Sequence, residues 1–301
     1  MTATTQAPVS AAAPPRLAAL RRFAHEFAAR PAALAGLAIM VTLAVLALTA
    51  PLFIHAGALG VVNAPGRPLS PPSVRFPLGT DYAGRSVLTL LIWGTRPSLA
   101  IALLATVLTM FVGSLIGLLS GHYGGILSRL LMALTDWFIA LPTLPLAIAL
   151  AAVLGQGDTS ITIAIAVTSW PSTARLIRAQ TLAVEARPFI ERARALGARD
   201  SQLMARQVLP NVAPFILVSA TLAVPGLIIS EVTLAFLGLG NPTDVSWGAM
   251  INQAFFQGAV TAGDWWYILP PGIAIVAVAL ACTMIGRAVE SILNPRMARK
   301  P

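Results

Sequence analysis

The residue types that usually carry catalysis or hold a metal are few and scattered in this chain of 301 residues. Cys282 is the single cysteine, which excludes a cysteine-rich metal site and an intrachain disulfide. The three histidines, His25, His55 and His122, are far apart in sequence and form no metal-ligand pattern. Lys300 is the only lysine, so no G-x-x-x-x-G-K-[ST] motif for nucleotide phosphates exists. The sequence therefore predicts no catalytic residue, no metal ligand and no cofactor bound by this chain.

Two carboxylates lie inside or at the edge of uncharged apolar stretches, where polar chemistry is unusual. These are Asp136 and Glu231. An unpaired charge at membrane depth costs roughly 3 kcal/mol or more, so each needs a partner, a proton or water. One interpretation is structural, a carboxylate hydrogen-bonded to a neighbouring helix. The other is functional, and both residues are then candidates for a polar pathway or its gate, with Glu231 near the outer end of its span.

The elements that must position these residues are long apolar segments. The chain is 57% hydrophobic and only 10% charged, where about 25% charged residues is usual in soluble domains. The first uncharged block has 23 residues and reaches roughly 34 Å as a helix, enough to cross a bilayer. We therefore predict an all-α integral membrane protein with six transmembrane helices at about 32–54, 98–119, 130–153, 159–176, 212–236 and 268–286.

The distribution of basic residues predicts the orientation of the chain. With a cytosolic N-terminus, 16 of the 20 basic residues lie inside, and only Arg67, Arg75, Arg85 and Arg96 lie outside. The positive-inside rule then places both termini in the cytosol. The same rule explains the net charge of +9 without nucleic acid as a partner.

The segments outside the spans complete the predicted organisation. They are a cytosolic N-terminal tail over 1–31, an extracytoplasmic segment over 55–97 with an amphipathic helix, and a cytosolic tail over 291–301. A second outer segment, 237–267, holds Trp247, Trp265 and Trp266. These tryptophans fit an interfacial aromatic belt or a docking surface for an extracytoplasmic partner.

One cytosolic segment, about 185–210, has more local structure than a simple connection needs. Its apolar residues Val184, Phe189, Ile190 and Leu196 can share one helical stripe. Gly197 suits a left-handed helix end, Asp200 or Ser201 can cap a second short helix, and Pro210 is expected to end that helix. Taken alone, the arginines are consistent with a cytosolic loop that only fixes the orientation of the chain in the membrane. Two short helices around a glycine favour a rigid element that docks on another protein.

This segment resembles a family loop. "ERARALG", nine residues and then "QVLP" are similar to the E-A-A-x-x-x-G loop and I-x-L-P of permease subunits of binding-protein-dependent ABC importers. The residues that match are Glu191, Ala193, Gly197, Leu209 and Pro210. Arg192 and Gln207 depart from the pattern, at positions that affect the fit to the partner. The resemblance implies that this loop seats in a cytosolic ATPase.

Further segments resemble the C-type permeases of the dipeptide, oligopeptide and nickel subfamily. They include "PLGTDYAGRSVLTLLIWGTRPSLA" and "EVTLAFLGLGNPTDVSWGAM". The resemblance implies the type I importer fold over a transmembrane core at 98–290, in a bacterial-type inner membrane. It also implies three kinds of protein partner: a second homologous permease, one or two ATPase subunits that use ATP and Mg, and an extracytoplasmic solute-binding protein.

The cargo implied by the resemblance is a dipeptide or an oligopeptide. Nickel chelates, glutathione or another small solute are alternatives on the same fold. A secondary transporter is a further alternative, although no internal repeat supports it. An intramembrane hydrolase would need a nucleophile and a base at membrane depth, and no histidine lies inside a predicted span.

Overall fold

The fold consists of helices, and the computed structural model describes residues 16–62 and 64–293. The helices are α1 Arg16–Ala28, α2 Pro31–Phe53, α3 Val87–His122, α4 Gly125–Ala140, α5 Thr143–Leu154, α6 Asp158–Glu185, α7 Pro188–Ala195, α8 Asp200–Leu203, α9 Leu209–Phe236, α10 Trp247–Phe256, α11 Ala259–Ala262 and α12 Trp265–Leu293. The predicted all-α class is confirmed for these residues. Parts of both predicted tails, 1–15 and 294–301, lie outside the described residues.

Four continuous helical segments are long and apolar enough to cross a membrane. They are α2, α3, the run Asp200–Phe236 that includes α9, and α12. The pair α4 and α5 provides a fifth crossing if the two helices together form one span. The chain is therefore a multi-pass membrane protein, and the exact number of six spans stays a prediction.

The predicted third span, 130–153, is a broken helix in the structure. The axes of α4 and α5 meet at 92°, and the break lies at Leu141 and Pro142. Leu141 is extended, with φ −83° and ψ 135°. The ring of a proline disfavours helical geometry in the residue before it, which explains why the helix stops there.

The predicted fourth span, 159–176, is part of the longer and more polar helix α6. This helix packs against α3, α5 and α9, and most of its residues from 161 to 177 are buried or half-buried. Its threonine hydroxyls donate to backbone carbonyls one turn earlier, for example Thr168 to Ala164 at 2.9 Å and Thr181 to Ile177 at 2.8 Å. Because these hydroxyls are satisfied inside the helix, α6 is compatible with an apolar environment despite its modest hydropathy.

The amphipathic stretch predicted within 55–97 is not a separate helix from the second span. Instead α3 begins at Val87 and continues without a break past Pro97 to His122, so the whole helix has 36 residues and is about 54 Å long. Ser86 caps its start by accepting a hydrogen bond from the backbone of Thr89. The helix is longer than a bilayer is thick, so one end extends beyond the hydrocarbon.

Three glycines of α3 allow it to lie close against α6. They are spaced four residues apart and so share one face of the helix: Gly113, Gly117 and Gly121. An added Cβ at each position would come within 2.6–2.7 Å of α6 atoms, among them the Cβ of Thr173 and the carbonyl oxygen of Ala174. This is the small-residue packing that membrane helices use in place of a hydrophobic driving force.

The segment between α2 and α3 is fixed by a buried ion pair. Nε of Arg85 donates to Oδ2 of Asp81 at 2.7 Å, and both side chains are almost fully buried. Arg85 also donates to the carbonyl of Leu59 and to Oε1 of Gln253 in α10. The hydrogen bonds satisfy a charge pair that would otherwise be costly to bury.

Candidate coupling segment and cavity

The helix α7 ends at Gly197 as the sequence predicts. Gly197 has a φ of +83°, its N–H bonds to the carbonyl of Arg194, and the N–H of Ala198 bonds to the carbonyl of Ala193. These two bonds form a Schellman motif, in which the left-handed residue is usually glycine. No atom lies within 4 Å of where a Cβ would sit, so glycine is needed for its backbone conformation and not for space.

One face of the 185–210 segment is anchored in the helix bundle. Ile190 of α7 is fully buried and lies in a cluster with residues of three long helices, Leu118 of α3, Ile177 of α6 and Val212 of α9. Val184 and Phe189 join the same cluster, as the predicted stripe requires. The prediction that Leu196 shares this stripe is wrong, because α7 ends at Ala195 and the Leu196 side chain is 88% exposed.

The opposite face of this segment is open. Glu191, Arg192 and Gly197 are exposed, and Ala193 is half-buried. Leu209 and Pro210 are also exposed, at the start of α9. All six residues assigned to the coupling loop are thus at least partly accessible on one chain, as a docking element requires.

Two local predictions for this segment are wrong. The N-cap of α8 is Arg199 and makes no side-chain cap, so neither Asp200 nor Ser201 caps the helix. Pro210 does not end a helix, because the chain continues from α8 through a π-helical turn, Met204–Val208, into α9. In that turn the N–H of Leu209 bonds to the carbonyl of Met204, five residues back. The wider turn accommodates a proline that lacks an N–H and crowds the preceding turn.

A cluster of polar contacts that the sequence did not indicate ties the 185–210 segment to α3 and α6. Nδ1 of His122, at the end of α3, contacts Oε1 of Glu185, at the end of α6. Nε2 of His122 donates to the carbonyl of Asp200 at 3.1 Å, and Nη2 of Arg194 donates to Oε2 of Glu185 at 3.2 Å. The His122 side chain is almost fully buried. His122 is 63 to 78 positions away from Glu185 and Asp200, so no local pattern could place it in the cluster.

A central cavity lies between the helices that anchor this segment. It has a volume of about 660 Å³ and is lined by residues of α3, the α4–α5 pair, α6 and α9. Its polar lining consists largely of hydroxyls, and these include Thr109, Thr143, Thr168, Ser169, Ser172 and Ser230. The hydroxyl of Thr109 is buried and has no partner among the described residues. Hydroxyls of this kind can donate to and accept from a polar solute.

Asp136 is paired with an arginine beside this cavity. Nη2 of Arg175, a lining residue, donates to Oδ1 of Asp136 at 2.7 Å. Both side chains are more than half exposed on the single chain. The structure therefore supplies the partner that the sequence required for Asp136, and it leaves the pair accessible from the surface.

Glu231 lies inside the bundle and not at an opening. It is fully buried, and Oγ of Ser98 in α3 lies 3.5 Å from its Oε1. The same Ser98 oxygen accepts from the backbone N–H of Trp247 in α10. Glu231 thus joins α3, α9 and α10 from within, and its side chain reaches neither a mouth nor an outer surface here. Trp247 is also fully buried, so it is a core residue and not part of an interfacial belt.

The family is shown by comparison with known proteins. Residues 113–299 match the family described as binding-protein-dependent transport system inner membrane component. The chain belongs to this family, whose members are membrane permease subunits of ABC importers. It is accordingly a multi-pass protein of the inner membrane.

Individual relatives cover most of the chain. It is 36% identical over 295 residues to the di/tripeptide transport system permease protein of Pseudomonas aeruginosa, an alignment that covers 92% of each protein. It is 34% identical over 227 residues to the glutathione transport system permease protein of Pectobacterium atrosepticum, covering 75% of this chain and 74% of that one.

A solved structure shares the fold. The MetNI methionine ABC transporter in an inward-facing conformation aligns with a TM-score of 0.53 at 23% identity, covering 66% of this chain and 96% of that chain. At this identity the likeness concerns the arrangement of helices. It agrees with the type I importer fold predicted from the sequence.

Proposed function

We propose that this chain forms half of the membrane pathway of a peptide importer, beside a second homologous permease. One or two cytosolic ATPase subunits bind ATP and Mg, and a solute-binding protein delivers cargo from outside. The chain itself binds no cofactor and catalyses no reaction. The observation that carries the proposal is the 185–210 segment, an open docking face whose other side is anchored in the helices around the central cavity.

The physical basis of coupling is the shared anchoring of this segment and the cavity wall. Ile190 packs on α3, α6 and α9, and the same three helices line the central cavity. A displacement of α7 by an ATPase therefore moves the cavity wall through packed side chains, which transmit strain because interiors are dense. In free-energy terms, nucleotide binding at one site biases the open or closed state of another.

Peptides are the cargo that the relatives favour. One relative that matches over 92% of this chain is named for di- and tripeptides, and the cavity offers hydroxyls together with the exposed Arg175–Asp136 pair. A zwitterionic peptide carries a carboxylate and an ammonium, which this pair complements in charge. We propose Asp136 as a pathway residue on this basis. Glu231 is buried away from any opening, so we propose for it the structural role of joining α3, α9 and α10 from within.

Glutathione is a second candidate cargo, because one relative is named for its transport. Glutathione is itself a tripeptide derivative and would present an ammonium and two carboxylates to the cavity. Competition between peptide and glutathione for uptake distinguishes the two candidate cargoes.

The proposal is tested by uptake into proteoliposomes. The chain is reconstituted with its second permease, ATPase subunits and binding protein, and labelled dipeptide, tripeptide and glutathione are compared. We expect uptake of the unmodified peptides that needs both ATP and the binding protein. Peptide uptake without the ATPase subunits would contradict the importer class, and uptake of glutathione alone would contradict the peptide cargo.

A further inference from the structure

A second groove lies on the outside of the bundle, away from the central cavity. It runs between α2 and α3, has a volume of about 560 Å³, and falls in the range of roughly 300–1,000 Å³ typical of small-ligand sites. Most of its lining is apolar, and Leu48 and Leu103 are well exposed there. Two charged side chains of opposite sign, Arg96 and Asp244, complete the lining.

Arg96 places its guanidinium on this groove. Its guanidinium lies over the ring of Trp93, 5.2 Å from the centroid, and the side chain is exposed. Within 16–62 and 64–293 it forms no ion pair and no side-chain hydrogen bond. An arginine beside a tryptophan in the first three turns of an apolar helix fits the membrane interface, where lipid phosphates lie.

Asp244 places an exposed carboxylate on the same groove. Its Oδ2 accepts one hydrogen bond, from Nδ2 of Asn241 at 3.0 Å, and the side chain is exposed. Although Arg96 and Asp244 line the same groove, they do not come within the 4.0 Å of a salt bridge. The groove thus offers a separated positive and negative charge above an apolar floor.

The depth of the groove agrees with a headgroup position. Leu48 lies five residues before the end of α2 at Phe53, about 8 Å along the helix axis. Arg96 lies nine residues after the start of α3 at Val87. Since Leu48 and Arg96 line the same groove, the last turns of α2 lie beside the first turns of α3 there.

We propose that this groove binds one phospholipid with a phosphoethanolamine headgroup. The phosphate accepts hydrogen bonds from Arg96, the primary ammonium donates to Asp244, and an acyl chain lies along the apolar floor between α2 and α3. Charge complementarity selects this headgroup, because a glycerol headgroup has no cation for Asp244. A choline headgroup has a cation but no N–H to donate.

The proposal is tested on the full chain in detergent by native mass spectrometry with added phosphatidylethanolamine, phosphatidylcholine or phosphatidylglycerol. We expect one retained phosphatidylethanolamine, bound about tenfold more tightly than either of the others. Arg96→Gln should weaken this binding about tenfold, and Arg96→Lys should weaken it less. Asp244→Ala, which has no side-chain acceptor, should remove the preference over phosphatidylcholine.

The chain offers a matched control in Arg75. Its guanidinium is likewise exposed and stacked on a ring, 5.4 Å from the centroid of Phe76, but it does not line the groove. Arg75→Gln should leave lipid binding unchanged. Equal retention of the three lipids, or equal losses in Arg75→Gln and Arg96→Gln, would overturn the proposal. Loss of the bound lipid when the second permease joins would show that this subunit occupies the groove. That result would also overturn the proposal.

Discussion

His122 connects three parts of the chain that are distant in sequence. One ring nitrogen contacts Glu185 at the end of α6, and the other donates to the carbonyl of Asp200 at the start of α8. Glu185 also accepts from Arg194 of α7. The orientation of the 185–210 segment on the bundle therefore depends on one buried imidazole as well as on the apolar anchor Ile190.

Replacing this imidazole should loosen the 185–210 segment without unfolding the bundle. Since a hydrogen bond to a charged group contributes about 1.5–3 kcal/mol, His122→Ala should raise the local opening of residues 188–203 about tenfold or more. Hydrogen–deuterium exchange of the purified chain measures this opening directly. We expect faster exchange in 188–203 and unchanged exchange in the centre of α3.

His55 supplies the control for that experiment. His55 is exposed and lies just after the end of α2 at Phe53, so His55→Ala should leave exchange in the 185–210 segment unchanged. Unaltered protection of residues 188–203 in His122→Ala would show that apolar packing alone holds the segment.

Single residues differ in how far the sequence predicts them. Gly197 could be predicted because a left-handed helix end has a local preference for glycine. The outward position of Leu196 and the missing cap at Asp200 could not, because each depends on where the preceding helix stops. The partners of Asp136 and Glu231 could not be predicted either, since Arg175 and Ser98 come from other helices.

Among the helices, the contact between α3 and α6 is the most extensive in the described part of the chain. It depends on the glycine spacing of α3, where an added Cβ at Gly117 would lie 2.7 Å from the carbonyl oxygen of Ala174 and 2.9 Å from the backbone nitrogen of Arg178. Backbone atoms cannot move aside as a flexible side chain can. The helices would have to separate.

Alanine substitutions at two helical glycines should therefore have different effects on stability. Gly117→Ala is expected to destabilise the chain by about 1–3 kcal/mol through overpacking. Gly272→Ala, in α12 with no atom within 4 Å of the added Cβ, should be neutral or slightly stabilising because alanine favours helix. The melting temperature in detergent distinguishes them, and a Gly117→Ala variant as stable as the parent would contradict the close packing of α3 and α6.

A whole helix can be predicted from the sequence where the length of an apolar segment alone indicates a membrane span. The spans α2 and α12 follow directly from uncharged blocks, and α9 begins near its predicted start. The break between α4 and α5 depends on the local geometry before Pro142, which window averages of hydropathy do not detect. The glycine spacing of α3 is a signal in the sequence that would have predicted the α3–α6 contact.

At the scale of the whole molecule, an exposed docking face and a polar cavity belong to one connected set of helices. α3, α6 and α9 line the central cavity and also hold Ile190 of α7. Under the proposed function, this arrangement lets a displacement of α7 reach the cavity wall. The central claim, which we propose, is that the shape of α7, Gly197 and α8 transmits this displacement.

The claim is tested most directly by the number of peptides imported per ATP hydrolysed in proteoliposomes that contain the complete importer. Gly197→Val places a β-branched residue at a left-handed φ, which costs about 1–2 kcal/mol and distorts the docking face. We expect it to lower this ratio roughly tenfold while membrane insertion is retained.

Gly238→Val is the matched control. Gly238 has a φ of +80° and forms the same pair of backbone bonds at the far end of α9, with equally open space around it. This variant introduces the same backbone strain at a site away from the docking face. It should therefore keep the parent number of peptides imported per ATP hydrolysed. A normal ratio in Gly197→Val, or an equal loss in both variants, would contradict the central claim.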